Sequence, residues 1–422
     1  MNSSPLTYNH AVALTMHIDL NSCFATVEQQ SRPQLRGRPV VVMNRKSTNA
    51  SIVAASYEAK RLGVKMGMRL EEIKKLAPGV VAVETDPLKY HFVYQKLMTI
   101  MKSYTPNVVM KSIDEGVMDF ADTVHHVHKR SLENIAQEIK ERLKSEIGCY
   151  MTCNIGIAPN RFLAKTAAGL HKPDGLDVIT YKNLRAVFAQ IKLTDLTGIA
   201  DRNSARLAAV GITTPLLFLD ADEATLSQIV FRGKPGRDWY RRLRGHEVDA
   251  APTKLGIVGR QYVLEKRYLQ REDVLQRLHF LCVSTGEKLR GKERSARGIL
   301  VYARCRDGSQ RWMARYVSHE SFSTTQDIYA YASMLFANAP AAYDIQEIGI
   351  SCYLLSPTGE DAPLLWEEKS VMRDRKITAA ADDINTRYGA FSLQPAHTLG
   401  LEKIMAQKIP FGSIGYFDLL AR

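Results

Sequence analysis

Apolar positions recur along the first 180 residues of the chain with the spacings of strands and helices. Short apolar runs predict buried strands at residues 13–18, 39–43 and 152–157, and a hairpin around residue 114. Helical spacing predicts helices at residues 21–30 (with Asn21 as the N-cap), 57–62 (ended by Gly63), 88–103, 132–147 and 161–170. Strand, helix, hairpin, helix and strand form the ferredoxin-like βαββαβ order, which an insert over about residues 30–86 interrupts.

Near residue 181 the pattern changes to short helices with tight turns. One turn, Leu196–Asp201, is followed by a helical segment over residues 205–210 and then by Gly211. This arrangement resembles a helix-hairpin-helix, in which loop N–H groups and a helix start bind a phosphate. That motif usually has a second glycine where Ala200 stands, so a plain αα-hairpin remains the alternative.

The rest of the chain predicts one further module and a tail. Pro and Gly punctuate residues 251–264, which predicts a linker. An α+β module then follows, with helices at 272–290 and 328–337 and strands at 296–304, 310–317 and 345–354. Residues 359–422 are predicted to form a polar tail with one helix, at about 376–388, and no obvious core.

Two short acidic motifs lie at predicted strands, one at Asp19 and one at Asp114-Glu115. Strand interiors usually exclude Asp and Glu. Three carboxylates on one sheet would repel one another unless a cation lies between them, and Mg²⁺ prefers oxygen ligands, including substrate phosphates. The motifs therefore predict a two-metal phosphoryl-transfer site. Strand-end acids that merely face solvent are the alternative.

Length and composition limit the possible classes of protein. A chain of 422 residues predicts two to four domains. No apolar run approaches the roughly 20 residues that span a bilayer, so an integral membrane protein is not expected. Residues 1–9 are polar and uncharged and do not resemble the start of a signal peptide. Six scattered cysteines without a Cys-x-x-Cys pair predict a reduced, cytoplasmic setting without a zinc site. His125, His126 and His128 are predicted to lie in a solvated stretch.

The positive charge is concentrated in one part of the chain. Residues 231–320 hold 21 Lys and Arg against 10 Asp and Glu, a surplus of 11, whereas the whole chain carries +13. A concentrated basic segment favours a polyanion as partner, and nucleic acid is the first candidate. The alternative is a basic face that only aids solubility.

Five ordered motifs together resemble the Y-family, or translesion, DNA polymerases, and within them the bacterial DNA polymerase IV type. The resemblance runs from about residue 16 to residue 357. Its motifs are Asp19–Glu28, Ala55–Val64, Ser112–Glu115, Phe162–Lys165 with Lys172–Gly175, and Gly233–Arg237 with Arg244-Gly245.

The resemblance implies a role for each acidic residue. Asp19 and Asp114 would hold two Mg²⁺ ions, Glu115 would add a ligand on the primer side, and the Leu20 carbonyl would complete the nucleotide-side site. Two such ions would stabilise the attacking 3′-oxygen and the leaving pyrophosphate.

The resemblance also implies the nucleotide contacts. Tyr57, Lys60 and Lys172 would contact the triphosphate, and Lys60 stands where the family often has Arg, so the bidentate contact is lost. Phe24 would be the steric gate against a 2′-hydroxyl, although a core aromatic is the alternative. The small residues Ser51 and Val53 would cover the nascent base pair and leave room for a distorted base, whereas Ala54 stands where a hydroxyl residue is common, so one phosphate contact would be missing.

The implied fold is an α+β multidomain chain with a ferredoxin-like palm, inserted fingers, a helix-hairpin-helix thumb, an α+β little finger and a C-terminal tail. The implied boundaries are palm 12–30 and 87–180, fingers 31–86, thumb 181–250, little finger 251–358 and tail 359–422. The implied DNA contacts are at Gly198, Ala200, Lys234 and Arg237. In the tail, residues 362–366, or Phe411 with Tyr416-Phe417, would bind a sliding clamp or else pack on their own domain.

The expected function is template-directed DNA synthesis on primer-template DNA with deoxynucleoside triphosphates, by a monomer of low fidelity without proofreading, in DNA damage tolerance. A DNA-binding repair protein that retained the fold but lost catalysis is the main alternative. A nucleotidyl cyclase is another, but cyclases need neither a helix-hairpin-helix nor a basic module.

Overall fold

The computed structural model describes residues 6–44, 50–123, 130–251, 254–264, 270–306, 311–339, 344–358 and 369–405, with side chains of the last range from residue 373. The described residues form two units, one over residues 6–251 and the other over residues 254–405. The three histidines predicted to be solvated and the candidate clamp-binding segments lie outside the described residues.

The central sheet of the first unit has the ferredoxin-like strand order. Its strands within the described ranges are β1 (Thr15–Leu20), β5 (Val108–Met110), β6 (Glu115–Asp119), β7 (Cys153–Ala158) and β8 (Leu176–Val178), in the spatial order β5-β6-β1-β7-β8. Strand β1 lies between β6 and β7 and pairs antiparallel with both. The βαββαβ arrangement expected from the sequence is therefore confirmed, with β8 added at one edge.

Helices cover this sheet, and they are α1 (Cys23–Ser31), α4 (Pro87–Lys102), α5 (Leu132–Glu146) and α6 (Arg161–Leu170). Apolar residues of α1, α4 and α5 share one core with β1, β6 and β7. Helix α6 packs on β7 and β1, and its apolar residues also join the core of the short helices over residues 184–243, which we call the thumb-like segment.

The insert forms a small layer of its own. Strands β2 (Val40–Met43), β3 (Ile52–Ala55) and β4 (Val81–Glu84) form a sheet of order β3-β2-β4 among the described residues. Helices α2 (Tyr57–Arg61) and α3 (Leu70–Leu76) accompany it, and a short 3₁₀ turn, Pro33–Leu35, precedes it. The insert has a core of its own, which includes Val41, Ile52 and Ile73, but Val42, Val53 and Ala54 join the core of the central sheet.

Short helices make up the end of the first unit, as the sequence predicts. They are α7 (Leu184–Gln190), a 3₁₀ turn (Leu193–Asp195), α8 (Asp201–Ala208), α9 (Pro215–Asp220), a π-helix (Thr225–Val230) and α10 (Lys234–Leu243). Trp239 joins them, because its ring packs against Phe162, Phe218 and Phe231.

The second unit is an antiparallel sheet covered by two helices. Over the ranges described, its strands are β9 (Ile257–Val263), β10 (Arg294–Cys305), β11 (Arg311–Phe322) and β12 (Ile345–Pro357), in the order β11-β10-β12-β9. Its helices are α11 (Arg271–Arg290) and α12 (Thr325–Ala337).

Strand β9 corrects the prediction of a linker over residues 251–264. Gly259, one of the glycines on which the linker prediction rested, lies inside the strand. A Cβ atom at this position would come within 2.5 Å of the Ile350 carbonyl oxygen on β12. The glycine therefore permits close strand packing rather than a break.

The tail also differs from the prediction that it lacks a core. Helix α13 (Lys369–Tyr388), a 3₁₀ turn (Ala396–Thr398) and α14 (Leu401–Ile404) pack on the second unit. Leu401 is buried in that unit's core, Phe391 stacks on Phe280 with ring centroids 4.7 Å apart, and Asp382 pairs with Arg290. The apolar residues are spread too thinly along the tail for a pattern to indicate this.

Candidate active site

The three predicted acidic residues meet at one end of the central sheet. Asp19 on β1 and Glu115 on β6 are direct partners in the antiparallel register. The backbone N–H of Leu20 donates to the Asp114 carbonyl at 2.9 Å, so Asp114 lies beside the same end of β1. Strand pairing alone therefore places the three residues together, although Asp19 and Asp114 are far apart in the chain.

Asp114 occupies a tight turn between β5 and β6. The N–H groups of Lys111 and Ser112 donate to the Glu115 carbonyl, which closes the turn, and the Ser112 hydroxyl hydrogen-bonds to the Asp114 carboxylate. Burial raises the pKa of Asp114; the Ser112 hydrogen bond opposes this, and the nearby Asp19 and Glu115 charges reinforce it. A buried carboxyl beside two others favours a cation as neighbour.

Glu115 already has a lysine and a histidine as partners. Lys165 on α6 donates to both of its carboxylate oxygens, at 2.9 and 2.7 Å, and His17 Nε2 lies 3.3 Å from Oε2. Burial alone would raise the pKa of Glu115, but the contacts with His17 and Lys165 outweigh it and lower the pKa to about 2. Glu115 therefore stays ionised at any physiological pH.

Asp19 likewise has a lysine partner, since Lys172 Nζ donates to its Oδ2. Within the described residues, no group of three or more His, Cys, Asp and Glu side chains forms a ready-made metal cage. The donor set fits Mg²⁺ nonetheless, because this ion commonly takes only one or two protein carboxylates and completes its shell with substrate oxygens and water. Lys165 and Lys172 supply positive charge beside Glu115 and Asp19, as a bound ion would.

Helix α2 of the insert carries two of the predicted nucleotide contacts, Tyr57 and Lys60, and both lie near the acidic residues. Lys60 Nζ donates to the Ser22 hydroxyl at 2.7 Å and lies 4.6 Å from the centre of the Tyr57 ring. Burial lowers the pKa of Lys60, and Lys172 lowers it further, whereas Asp19 opposes the shift. Burial and the Asp19 charge raise the pKa of Tyr57. These electrostatic couplings link Tyr57, Lys60, Lys172 and Asp19 in one site.

Asn21 has a role that the sequence interpretation missed. The N-cap of α1 is Ser22 rather than the predicted Asn21, and Ser22 adopts a left-handed conformation with φ of 46°. The Asn21 side chain donates to Asn154 Oδ1 at 2.7 Å and accepts from the Asp174 N–H at 2.8 Å. It thereby ties the loop that carries Lys172 to the end of β1. An Asn directly after a strand-end Asp is a weak signal of this role.

Phe24 lies on α1 with its ring against Tyr90 of α4. The ring centroids are 4.4 Å apart, and the planes differ by 21°. The Tyr90 hydroxyl donates to Glu28 Oε1 at 2.9 Å, and Lys89 Nζ lies 3.2 Å from Glu28 Oε2. Phe24 is 7% exposed and belongs to the central core, so its position suits both a core aromatic and a gate at the edge of that core.

The predicted small finger residues lie at the start of β3. Val53 and Ala54 are buried in the same core as Phe24, whereas Ser51 is exposed and pairs with Arg69 in an isolated bridge.

The predicted DNA contacts in the thumb-like segment lie in two turns. Gly198 has φ of +93°, and Ala200 is the N-cap of α8, so the turn has the expected helix-start geometry without the second glycine. Lys234 and Arg237 are exposed in the first turns of α10. They are not part of the acidic site.

A family model described as the impB/mucB/samB family matches residues 18–169, and the model of that family's C-terminal domain matches residues 257–363. The chain belongs to this family, the Y-family DNA polymerases. The first match contains Asp19, Asp114 and Glu115, and the second contains the β9–β12 sheet.

Curated relatives of this Y-family chain include DNA polymerase IV from Staphylococcus aureus strains JH9 and Newman. Each is 29% identical over 326 residues, which cover 76% of this chain and 89% of the relative.

Solved structures share the fold. A Y-family DNA polymerase chimera of Dbh and Dpo4 superposes with a TM-score of 0.69 at 23% identity, over 82% of this chain and 99% of the other. An insertion ternary complex of Dbh DNA polymerase gives a TM-score of 0.55 at 22% identity, over 80% and 98%. The predicted α+β multidomain class is thereby confirmed. Over the described ranges, no helix combines the length and apolar character needed to cross a membrane.

Proposed function

We propose that this Y-family chain is a template-directed DNA polymerase of the translesion type, which extends a primer 3′ end with deoxynucleotides at the acidic end of β1 and β6. The observation that carries the proposal is the convergence of Asp19, Asp114 and Glu115, which strand pairing places together within a family of DNA polymerases. The alternative, a DNA-binding protein that kept only the fold, has no use for three carboxylates gathered at one end of the sheet.

The proposed cofactor is a pair of Mg²⁺ ions. Asp19 and Asp114 would hold both, Glu115 would bind on the primer side, and the Leu20 carbonyl would add an oxygen on the nucleotide side. Bound there, the ions would lower the barrier by stabilising charge on the attacking and leaving oxygens. The raised pKa of Asp114 supports the proposal, because it shows that the charged carboxylate is disfavoured where it lies, and a cation bound beside it would stabilise that charged form.

The chain's own residues would position the nucleotide. Lys60 and Lys172 would leave Ser22 and Asp19 and donate to phosphate oxygens, while the Tyr57 hydroxyl, now 3.4 Å from Asn21 Nδ2, would face the triphosphate. Phe24 would lie under the sugar, where a 2′-hydroxyl would be buried without a hydrogen bond. The stack on Tyr90 supports this role, because it limits the freedom of the Phe24 ring to move aside.

DNA would be bound mainly through phosphates. The turn at Gly198 and Ala200 offers backbone N–H groups, and Lys234 and Arg237 offer exposed charge. The basic segment 231–320 supports further phosphate contacts, which would make affinity fall with salt and stay nearly independent of sequence. Such binding suits an enzyme that copies any template, and we propose that it does so with low fidelity and without proofreading.

The remaining proposals concern the setting. We propose a monomer that acts in the cytoplasm; the six scattered cysteines, which include no Cys-x-x-Cys pair, support the cytoplasmic setting. For the tail two alternatives stand, contact of residues 362–366 or of Phe411 and Tyr416-Phe417 with a sliding clamp, or packing on their own domain. Capture of the full chain by purified clamp separates the two.

Primer extension on defined templates tests the function. With Mg²⁺ and single deoxynucleoside triphosphates, we expect the nucleotide added to follow the template base, and extension to continue past at least one damaged base on a lesion panel. Binding of the primer-template without any extension would favour the DNA-binding alternative.

A further inference from the structure

The helix that carries Tyr57 and Lys60 is too short to hold its own shape. Helix α2 spans five residues, far fewer than the roughly 12–15 at which isolated helices become marginal in water. Its N-cap, Ser56, accepts from the Ala59 N–H at a long 3.4 Å. Contacts from outside the helix must therefore fix its position.

Glu58, between the two predicted nucleotide contacts, supplies such contacts. Its Oε2 accepts from Gln29 Nε2 at 3.1 Å, and its Oε1 accepts from the Tyr150 hydroxyl at 3.0 Å. Gln29 is a buried residue of α1, and Tyr150 lies three residues before β7. One carboxylate thus connects the finger helix to two separate elements of the palm.

Tyr150 is itself held on several sides. Its hydroxyl accepts from the Gly37 N–H at 3.1 Å while it donates to Glu58, and its backbone N–H donates to Gln30 Oε1 at 2.8 Å. The Arg36 guanidinium lies over its ring, 5.5 Å from the centre. The hydroxyl therefore bridges the start of the insert, the finger helix and the palm, and we call Tyr150–Glu58 the Tyr150 bridge.

The charge of Glu58 is stabilised where it lies. Burial alone would raise the pKa of Glu58, but hydrogen bonds from Ser56, its own backbone N–H, Gln29 and Tyr150 outweigh it and lower the pKa. Hydrogen bonds to an ionised acceptor are stronger than those between neutral groups.

We propose that the Tyr150 bridge positions helix α2 for the incoming nucleoside triphosphate and so determines nucleotide affinity. Glu58 and Tyr150 are positioning residues, since neither reaches the acidic site; they act through Tyr57 and Lys60. The inference rests on the proposed polymerase function. It predicts that breaking the bridge weakens nucleotide binding, while DNA binding and the chemical step stay nearly unchanged.

Tyr150→Phe tests the bridge, because it removes one hydroxyl and keeps the ring under Arg36. We expect the KM for the correct deoxynucleoside triphosphate to rise about tenfold, the loss expected for one hydrogen bond to a carboxylate, with kcat changed less than about twofold. The Kd for primer-template DNA should match wild type. Tyr104→Phe is the matched control, since the Tyr104 hydroxyl donates to Glu138 at 2.8 Å and makes no contact with α2.

A double-mutant cycle tests whether the two residues act together. Glu58→Ala should raise the KM at least as much as Tyr150→Phe, and Glu58→Gln, which keeps an acceptor, should recover part of the loss. Tyr150→Phe should add almost nothing in the Glu58→Ala background, because the bond is already absent.

Amide hydrogen exchange on the unliganded protein gives a measurement that needs no activity. We expect the amides of residues 57–61 to exchange several-fold faster in Tyr150→Phe than in wild type or Tyr104→Phe. An unchanged KM and unchanged exchange in Tyr150→Phe, or additive effects in the cycle, would overturn the bridge. Failure of wild type itself to extend a primer would instead reject the polymerase function. The exchange rates of residues 57–61 would then decide alone whether the Tyr150 bridge holds helix α2 in place.

Discussion

Asp19 and Glu115 face each other across two antiparallel strands, and each is neutralised by a lysine, Lys172 and Lys165 respectively. Two acids in direct register would repel each other, and like charges directly opposite destabilise a sheet. The lysines offset that repulsion, because each places a positive charge directly on one of the two carboxylates.

We therefore expect Lys172 to pair with Asp19 in the free protein and with the triphosphate once a nucleotide binds. In Lys172→Ala we expect Mn²⁺, a probe for the Mg²⁺ sites, to bind the free protein several-fold more tightly, because no ammonium competes for Asp19. The KM for deoxynucleoside triphosphate should rise about tenfold, because a phosphate contact is lost. Electron paramagnetic resonance of free Mn²⁺ and steady-state kinetics measure the two effects.

Lys182→Ala, which removes a lysine from the first unit outside the site, is the control for Lys172→Ala. Weaker Mn²⁺ binding in Lys172→Ala than in this control would contradict the competition between the lysine and the ion.

Phe24 is expected to exclude ribonucleotides. Phe24→Ala should raise the ratio of ribonucleotide to deoxynucleotide kcat/KM by about a hundredfold, since the penalty on the 2′-hydroxyl disappears. Phe24 is also a core residue, so Phe24→Leu, which keeps more volume, accompanies it together with a thermal unfolding curve. A stable Phe24→Ala protein with unchanged sugar selection would return Phe24 to the role of a core aromatic.

Glu287 on α11 predicts a pH dependence of the second unit's stability. Burial and the Asp382 charge raise the pKa of Glu287 to about 7 against the opposing Arg290 and Arg260, and its buried Oε1 has no hydrogen-bond partner in the described part of the chain. Because the folded pKa lies above the unfolded value of 4.5, the stabilisation is complete below about pH 4.5 and is lost as the pH rises through 7.

Urea unfolding between pH 5 and 8 measures this dependence. Relative to wild type, Glu287→Gln should become more stable as the pH rises, by up to about 3 kcal/mol for the full shift. A difference between the two proteins that stays constant over this range would show that Glu287 titrates normally.

The acids could be predicted from the sequence because charged residues are conspicuous in buried strands. Their lysine partners could not, since Lys172 is 153 residues from Asp19 and Lys165 is 50 residues from Glu115, and only the folded sheet places them together. The roles of Asn21 and Tyr150 were missed for the same reason. Local signals misled at Gly259, where a glycine that permits strand packing looked like a loop residue.

Helix bounds were predictable to within a few residues where apolar residues repeat at helical spacing over ten or more positions. The helices at Arg161–Leu170 and Leu132–Glu146 confirm their patterns almost residue for residue. The tail was not predictable, because Leu401 and Phe391 are isolated apolar residues whose partners lie far away in the chain.

The central claim is that Asp19, Asp114 and Glu115 act as one metal-dependent site, and single-turnover primer extension with Mg²⁺ tests it most directly. Asp119→Ala is the matched control, because Asp119 lies at the other end of β6. We expect Asp114→Ala to lower the rate by about a thousandfold or more without weakening primer-template binding, and Asp119→Ala to retain activity. Equal extension by wild type and Asp114→Ala would contradict the claim.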